Sequence, residues 1–199
     1  MLFKYIVAIS LISQISACSI FTSQPAPKKT IKMEFSEPNR IQFQGKGAGA
    51  GIALMGVMGP MGISLGVAID EGIAKDIRKA IAKEVGNIDA FLLAELDRNL
   101  AANDVKIVAQ SSASKYPILK IKKIGFKIIN GSTDATSAEW RIELTTALGK
   151  TTTVNYPNDF DKSTIKTYVL AALKVDGKLG AGLLRESLKK VLTEGAFAF

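Results

Sequence analysis

Residue types that most enzymes recruit for chemistry are scarce here, since the chain has no histidine and a single cysteine, Cys18. Without imidazole, Ser-His triads and histidine-bearing metal sites are excluded. One thiol supports neither a zinc cluster nor an intrachain disulfide. Carboxylates remain, yet no paired-carboxylate motif stands out among them. Two S-x-x-K matches, Ser112 to Lys115 and Ser163 to Lys166, have the spacing of a serine acyl-enzyme but lack the companion motifs S-D-N and K-T-G. Gly45-Lys46-Gly47-Ala48-Gly49-Ala50 fits the dinucleotide pattern G-x-G-x-x-G/A, with Asp70 placed where a ribose-binding acid would stand. Pro60 would interrupt the helix that this fingerprint needs, and no βαβ repeat follows. Gly149-Lys150-Thr151 ends like a phosphate loop, but Leu144 occupies the place of its first glycine. The chain is therefore expected to be no enzyme, with no cofactor and no metal.

The chemistry of Cys18 lies in its context. A single cation, Lys4, precedes an uncharged apolar run from Tyr5 to Ile12, and the stretch closes on Ile15-Ser16-Ala17-Cys18. Residues 1–17 read as an export signal, too short to span a bilayer and ending in small residues that suit a peptidase. The ending resembles the lipobox of bacterial lipoproteins. That resemblance implies that Cys18 is the lipid-attachment residue, diacylated on sulfur, freed as the first residue of the mature chain and acylated again. At about 0.8 kcal/mol per buried methylene, three acyl chains anchor firmly where one tethers weakly. In such lipoproteins aspartate after the cysteine commonly retains the product in the inner membrane. Ser19 implies the outer membrane, facing the periplasm. An ordinary secretory signal is the alternative, and it leaves an unpaired thiol in an exported chain unexplained.

The chain has 199 residues and a formal net charge of +8, enough for one domain after the signal and a bias toward anionic partners. Export argues against nucleic acid. Lys115, Lys120, Lys122, Lys123 and Lys127 gather positive charge on one strand, of which Lys120, Lys122 and Lys127 are candidate contacts for anionic lipid or lipopolysaccharide. The alternative is a solvated outer face that discourages edge pairing.

The elements that must carry these residues follow from periodicity. Residues 18–30, with Pro25 and Pro27, read as a flexible tether, and residues 31–199 as a single domain. Ile31, Met33 and Phe35, then Ile41 and Phe43, alternate as a strand pair or a bent strand. Residues 47–69 carry no charge and would be long enough to cross a membrane. Their glycines weaken a helix in water, and Pro60 would kink it. Gly47, Gly51, Gly56, Gly59, Gly62 and Gly66 resemble the glycine zippers of some bacterial envelope lipoproteins, where small faces let helices touch. Three readings stand: a flexible or internally packed hairpin that shields the domain's own core, a membrane-inserted or membrane-lying element, or self-association through the glycine faces, which could combine with either and would make the glycines contacts for lipid or partner subunits.

Beyond, Ile69, Ile73, Ile77, Ile81 and Val85 recur at helical spacing, and Asn87 or Asp89 can cap a second helix bearing Leu92, Leu96 and Leu100. Strands follow at 105–108, at 116–129 with a bulge at Lys122-Lys123, at 139–146 and at 151–156. A polar loop is expected over 130–137. Ser163 is expected to cap a helix containing Tyr168 to Leu173, and a last helix runs from Leu179 to Glu194, stopped by Gly195. Phe197 and Phe199 would pack on the body. This order predicts an α+β two-layer sandwich, an antiparallel sheet with helices on one face, carrying a glycine-rich apolar segment at 47–69. It is similar in topology and anchor to small outer-membrane lipoproteins that assist envelope machines, including the lipopolysaccharide-assembly lipoprotein and auxiliary lipoproteins of lipid transporters. The resemblance implies an accessory or structural role in an outer-membrane assembly, or else a lipid- or lipopolysaccharide-binding module.

Overall fold

The computed structural model describes residues 29–36, 41–108, 116–195 and 197. The expected signal over residues 1–17, Cys18 with the lipobox-like ending before it, the Ser112–Lys115 match, Lys115 and Phe199 lie outside them. In order the elements are β1 (Lys29–Phe35), β2 (Gln42–Gln44), α1 (Lys46–Met58), α2 (Pro60–Val85), α3 (Ile88–Ala101), β3 (Val105–Val108), β4 (Ile118–Ile128), β5 (Ala135–Thr145), β6 (Thr151–Tyr156), β7 (Tyr168–Val169), α4 (Leu170–Val175) and α5 (Gly177–Glu194). The fold is the α+β sandwich expected, with a mostly antiparallel sheet in the order β3-β1-β4-β5-β6.

β4 and β5 form its spine, antiparallel from Ile118 opposite Thr145 to Ile128 opposite Thr136. Register shifts between Ile121 and Lys123, the bulge that the change of alternation predicts. Each spine strand is flanked by two short segments laid end to end. β1 and β2 are separate strands that both run along β4 instead of pairing with each other, while β6 and β7 share the far side of β5. β1 and β2 are parallel to β4, and β1 is parallel to β3, because helices carry the chain back before the next strand starts. β1 also begins at Lys29, two residues inside the expected tether.

Alternation sends Ile31, Leu119, Ile121, Ile124, Phe126, Trp140, Ile142, Leu144 and Val154 into the core, where they meet Ile77, Ile81, Leu92, Leu96, Leu100, Leu184 and Leu188 of the helices. Trp140 is fully buried, and its indole Nε1–H donates to Ser187 Oγ at 2.8 Å, fixing α5 on β5. Gly177 and Gly180 bring α5 close to α2, since a methyl at either would collide with Ala80 or Ile81. Glu95 joins α3 to α5. Nearly buried, it accepts from Arg98 Nη1 at 2.9 Å and from Arg185 Nε at 2.8 Å, while Arg185 also lies over the Phe91 ring.

Several local expectations give way. The loop expected over 130–137 ends early, because Thr136 and Ser137 are buried residues of β5. Thr146 falls beyond that strand and accepts from Lys150 N in the turn at Gly149. Ser163 caps no long helix. It sits in a single 3-10 turn whose cap is Asp161, and the chain passes through β7 before α4. Asn87 does cap α3, accepting from Ala90 N at 3.0 Å, and Asp176 rather than a residue of the helix caps α5. Gly195 ends α5, and Phe197 packs against the core.

Candidate functional site

Residues 47–69 fold as the upper part of an antiparallel helical hairpin rather than as one kinked helix. Proline tolerates the first turn of a helix, where its missing N–H costs nothing, so Pro60 starts α2 instead of bending it. Gly59 makes the reversal at φ +58° and ψ −142°, a conformation that side-chain-bearing residues avoid. Its N–H donates to Met55 O at 2.9 Å, closing the last turn of α1, and Gly62 N donates to Gly59 O at 3.0 Å, opening α2.

The arms touch through glycine. Gly47 and Gly51 on α1 face Gly62 and Gly66 on α2, and all four are buried. A methyl at Gly66 would overlap Gly47 O and approach Gly51 Cα at 3.0 Å; one at Gly62 would lie 2.5 Å from Met55 N. Four of the six glycines singled out from the sequence are thus occupied by each other within the chain. Gly59 forms the turn, and Gly56 faces open space.

With backbones this close, the large side chains are pushed outward all round the pair. Val57 is 87% exposed, Ile52 70%, Met61 68%, Val67 65% and Ile63 52%, with Met55, Met58 and Leu65 also exposed. A water-soluble surface rarely concentrates so many apolar side chains in one place. A groove of about 380 Å³ runs along one side between Ile52, Met55, Ile63 and Val67, ending at Gln44 and Asp70. The hairpin reading is therefore correct in form but not in role: these side chains do not shield the domain core.

Charge begins abruptly at the base. Asp70 accepts from Gly47 N at 2.6 Å and Gly45 N at 3.2 Å, a carboxylate on the positive end of α1. The acid that stood in the place of a ribose ligand is a helix cap. Arg78 Nη1 donates to Ile41 O at 2.7 Å, and its Nη2 meets Glu71 at 2.7 Å, which ties α2 to the strand below the hairpin. Lys46 reaches Thr133 O and lies 3.9 Å from Asp134.

The lysines of β4 are placed on the sheet face opposite the helices, and acids share that face. Lys122 lies 3.7 Å from Glu143, Lys123 is 2.7 Å from Glu139, and Arg141 is 3.8 Å from Glu143. Lys120 stands opposite Glu143 in register. Lys127 donates to Asn158 Oδ1 at 3.1 Å and, with Lys162, lines a concavity of about 320 Å³ bounded by Asn130, Pro157, Phe160 and Ile165. The three candidate lysines therefore do not converge on one point.

Among the described residues no three metal-ligating side chains gather, and no helix is long and apolar enough to cross a membrane. Sequence reasoning missed the outward side chains Ile52, Val57, Ile63, Leu65 and Val67. Their signal was present: glycines at spacing four on each arm define an inner face, which leaves the bulky residues outside. Compared with known proteins, the chain matches no family model and no curated sequence.

Proposed function

We propose that this protein is a non-enzymatic, lipid-anchored component of the bacterial cell envelope, held to the periplasmic face of the outer membrane through Cys18 and engaging lipid or partner subunits through the hairpin of α1 and α2. The observation that carries the reading is the exposed apolar girdle of that hairpin, held together by glycines and free of charge from Gly47 to Ile69. A body with its own closed core does not need such an element to fold, and lipid or an envelope partner removes its apolar surface from water. The lipobox accounts for the lone cysteine. The test is to isolate the natural product from the envelope and measure its amino-terminal peptide by mass spectrometry. A thioether-linked diacylglyceryl group on Cys18 is expected; an unmodified thiol in the soluble fraction overturns the anchor.

A second reading, a module that binds anionic lipid or lipopolysaccharide, is favoured by the concavity that Lys127 and Lys162 share with Phe160. Charge reversal at Lys127 and Lys162 should then abolish binding of lipopolysaccharide to the purified chain, and undiminished binding removes this reading.

A further inference from the structure

We infer that the hairpin is a one-leaflet wedge, whose occupant is the acyl-chain layer of a single phospholipid monolayer rather than a protein groove. This rests on the reading of the hairpin as the contact element, and not on acylation of Cys18.

The 13 residues of α1 rise about 20 Å, and the uncharged start of α2, residues 60–69, rises about 15 Å. Half of a hydrocarbon core of about 30 Å is about 15 Å. The uncharged part thus matches one leaflet and falls short of two. A spanning hairpin would also carry polar groups at its tip to meet the far headgroups, whereas the tip here is Val57, Met58, Gly59, Pro60 and Met61.

Exposed apolar side chains stand on both arms of the hairpin. A protein partner covers one face of a helix pair and leaves the other polar. Here Ile52 and Val57 on one arm and Met61, Ile63 and Val67 on the other are all more than half exposed. Between residues 49 and 69 every buried residue is a glycine. Lipid surrounds such an object; a single groove does not.

In hydrocarbon backbone groups need internal partners, a demand that helices meet along their length; the turn adds the bonds from Gly59 N to Met55 O and from Gly62 N to Gly59 O, and Asp70 takes two N–H groups at the start of α1. Charged side chains of both signs begin where the hairpin leaves the body, with Lys46, Lys75 and Arg78 beside Asp70, Glu71 and Asp134. That is the depth at which a one-leaflet wedge meets headgroups and water.

The test uses the chain purified from its native envelope with Val57→Cys or, as a body control, Leu148→Cys, each labelled with an environment-sensitive fluorophore. Leu148 is 96% exposed in the β5–β6 turn, remote from the hairpin in the sheet order. Vesicles of phosphatidylethanolamine and phosphatidylglycerol carry nitroxide lipids. The label at Val57 should be quenched by nitroxides deep in the chain region and shielded about tenfold from aqueous iodide relative to Leu148, as burial at leaflet depth requires. Adding Ile63→Glu, a change at an exposed position, should return the Val57 label to the iodide access of the Leu148 label while the far-ultraviolet spectrum of the body holds. Equal iodide access at both labels in the parent overturns the inference. So does shielding from iodide without nitroxide quenching, accompanied by energy transfer between labelled copies, which would mean that a second copy covers the hairpin. If the protein without an added cysteine takes the label, Cys18 is not acylated and the anchor fails. The depth result, repeated with Cys18→Ser, then judges the wedge separately.

Discussion

The hairpin and the body are packed by opposite means. In the body, bulky side chains such as Trp140, Phe126, Leu96 and Leu184 fill the space between sheet and helices, and the backbones stand apart. In the hairpin, glycines remove the side chains from the contact, the backbones touch, and the bulky residues are left on the outside. The first arrangement draws its stability from apolar area withdrawn from water. The second withdraws almost none, so its apolar surface awaits another medium. One chain thereby carries a region built for water and a region that water disfavours.

The largest expected effect that sharpens this contrast comes from emptying the body's core. Trp140→Ala should lower unfolding free energy by about 3–5 kcal/mol, because it leaves a cavity and removes the indole tie between β5 and α5. A urea titration followed by circular dichroism reads it, and a loss below about 1 kcal/mol would mean that the sandwich is not held as described. Glu95→Gln comes next. The remaining Arg98 and Arg185 are 67% and 51% exposed along their side chains, so their charges turn to solvent, and about 1–2 kcal/mol is expected, less than for a fully buried pair.

Gly66→Leu tests the other region. It should force the arms apart and expose residues 47–66 to limited proteolysis, while the body's unfolding free energy changes by no more than about 0.5 kcal/mol. A shift as large as that of Trp140→Ala would break the comparison, since the hairpin would then be part of the core.

The smallest effects are those of pH, and they belong to the body alone, because residues 47–69 contain no titratable side chain. Burial pushes the Tyr156 phenol above its ordinary range. The fold therefore favours the neutral phenol. Its contribution is complete below the unfolded tyrosine value and declines as pH climbs through the folded one. Tyr156→Phe should flatten that alkaline decline in urea midpoints. At the acid end, a hydrogen bond from Lys174 lowers Asp76, and the Ser163 backbone N–H lowers Asp161. Both contributions are present above the unfolded aspartate value and are lost as pH falls through the folded values. Both groups are open to solvent, so Asp76→Asn should alter the acid limb only slightly.

Much of the body was legible because its signals are local. The spacing of Ile73, Ile77 and Ile81, the phase change at Lys122-Lys123, the alternation through Trp140, Ile142 and Leu144, and the stop at Gly195 each depend on neighbours along the chain. What escaped depends on distant partners. Nothing near Ile31 or Phe43 tells that both segments run parallel to β4, and the burial of Thr136 and Ser137 reflects pairing with β4, not their polarity. Ser163 carries the right residue type for a cap, but Asp161 lies better placed to take the role.

By itself the sequence determined the alternation and helical faces of the body, the exclusion of imidazole chemistry, and an uncharged segment rich in glycine. Only the tertiary structure decided how that segment uses its glycines. Whether Gly47 and Gly51 meet Gly62 and Gly66 of the same chain, or those of another, depends on the reversal at Gly59 and on Asp70 and Arg78 pinning the two arms to one base. Periodicity specifies which residues share a face. It cannot specify what that face meets, because contact is a property of the folded path and not of spacing.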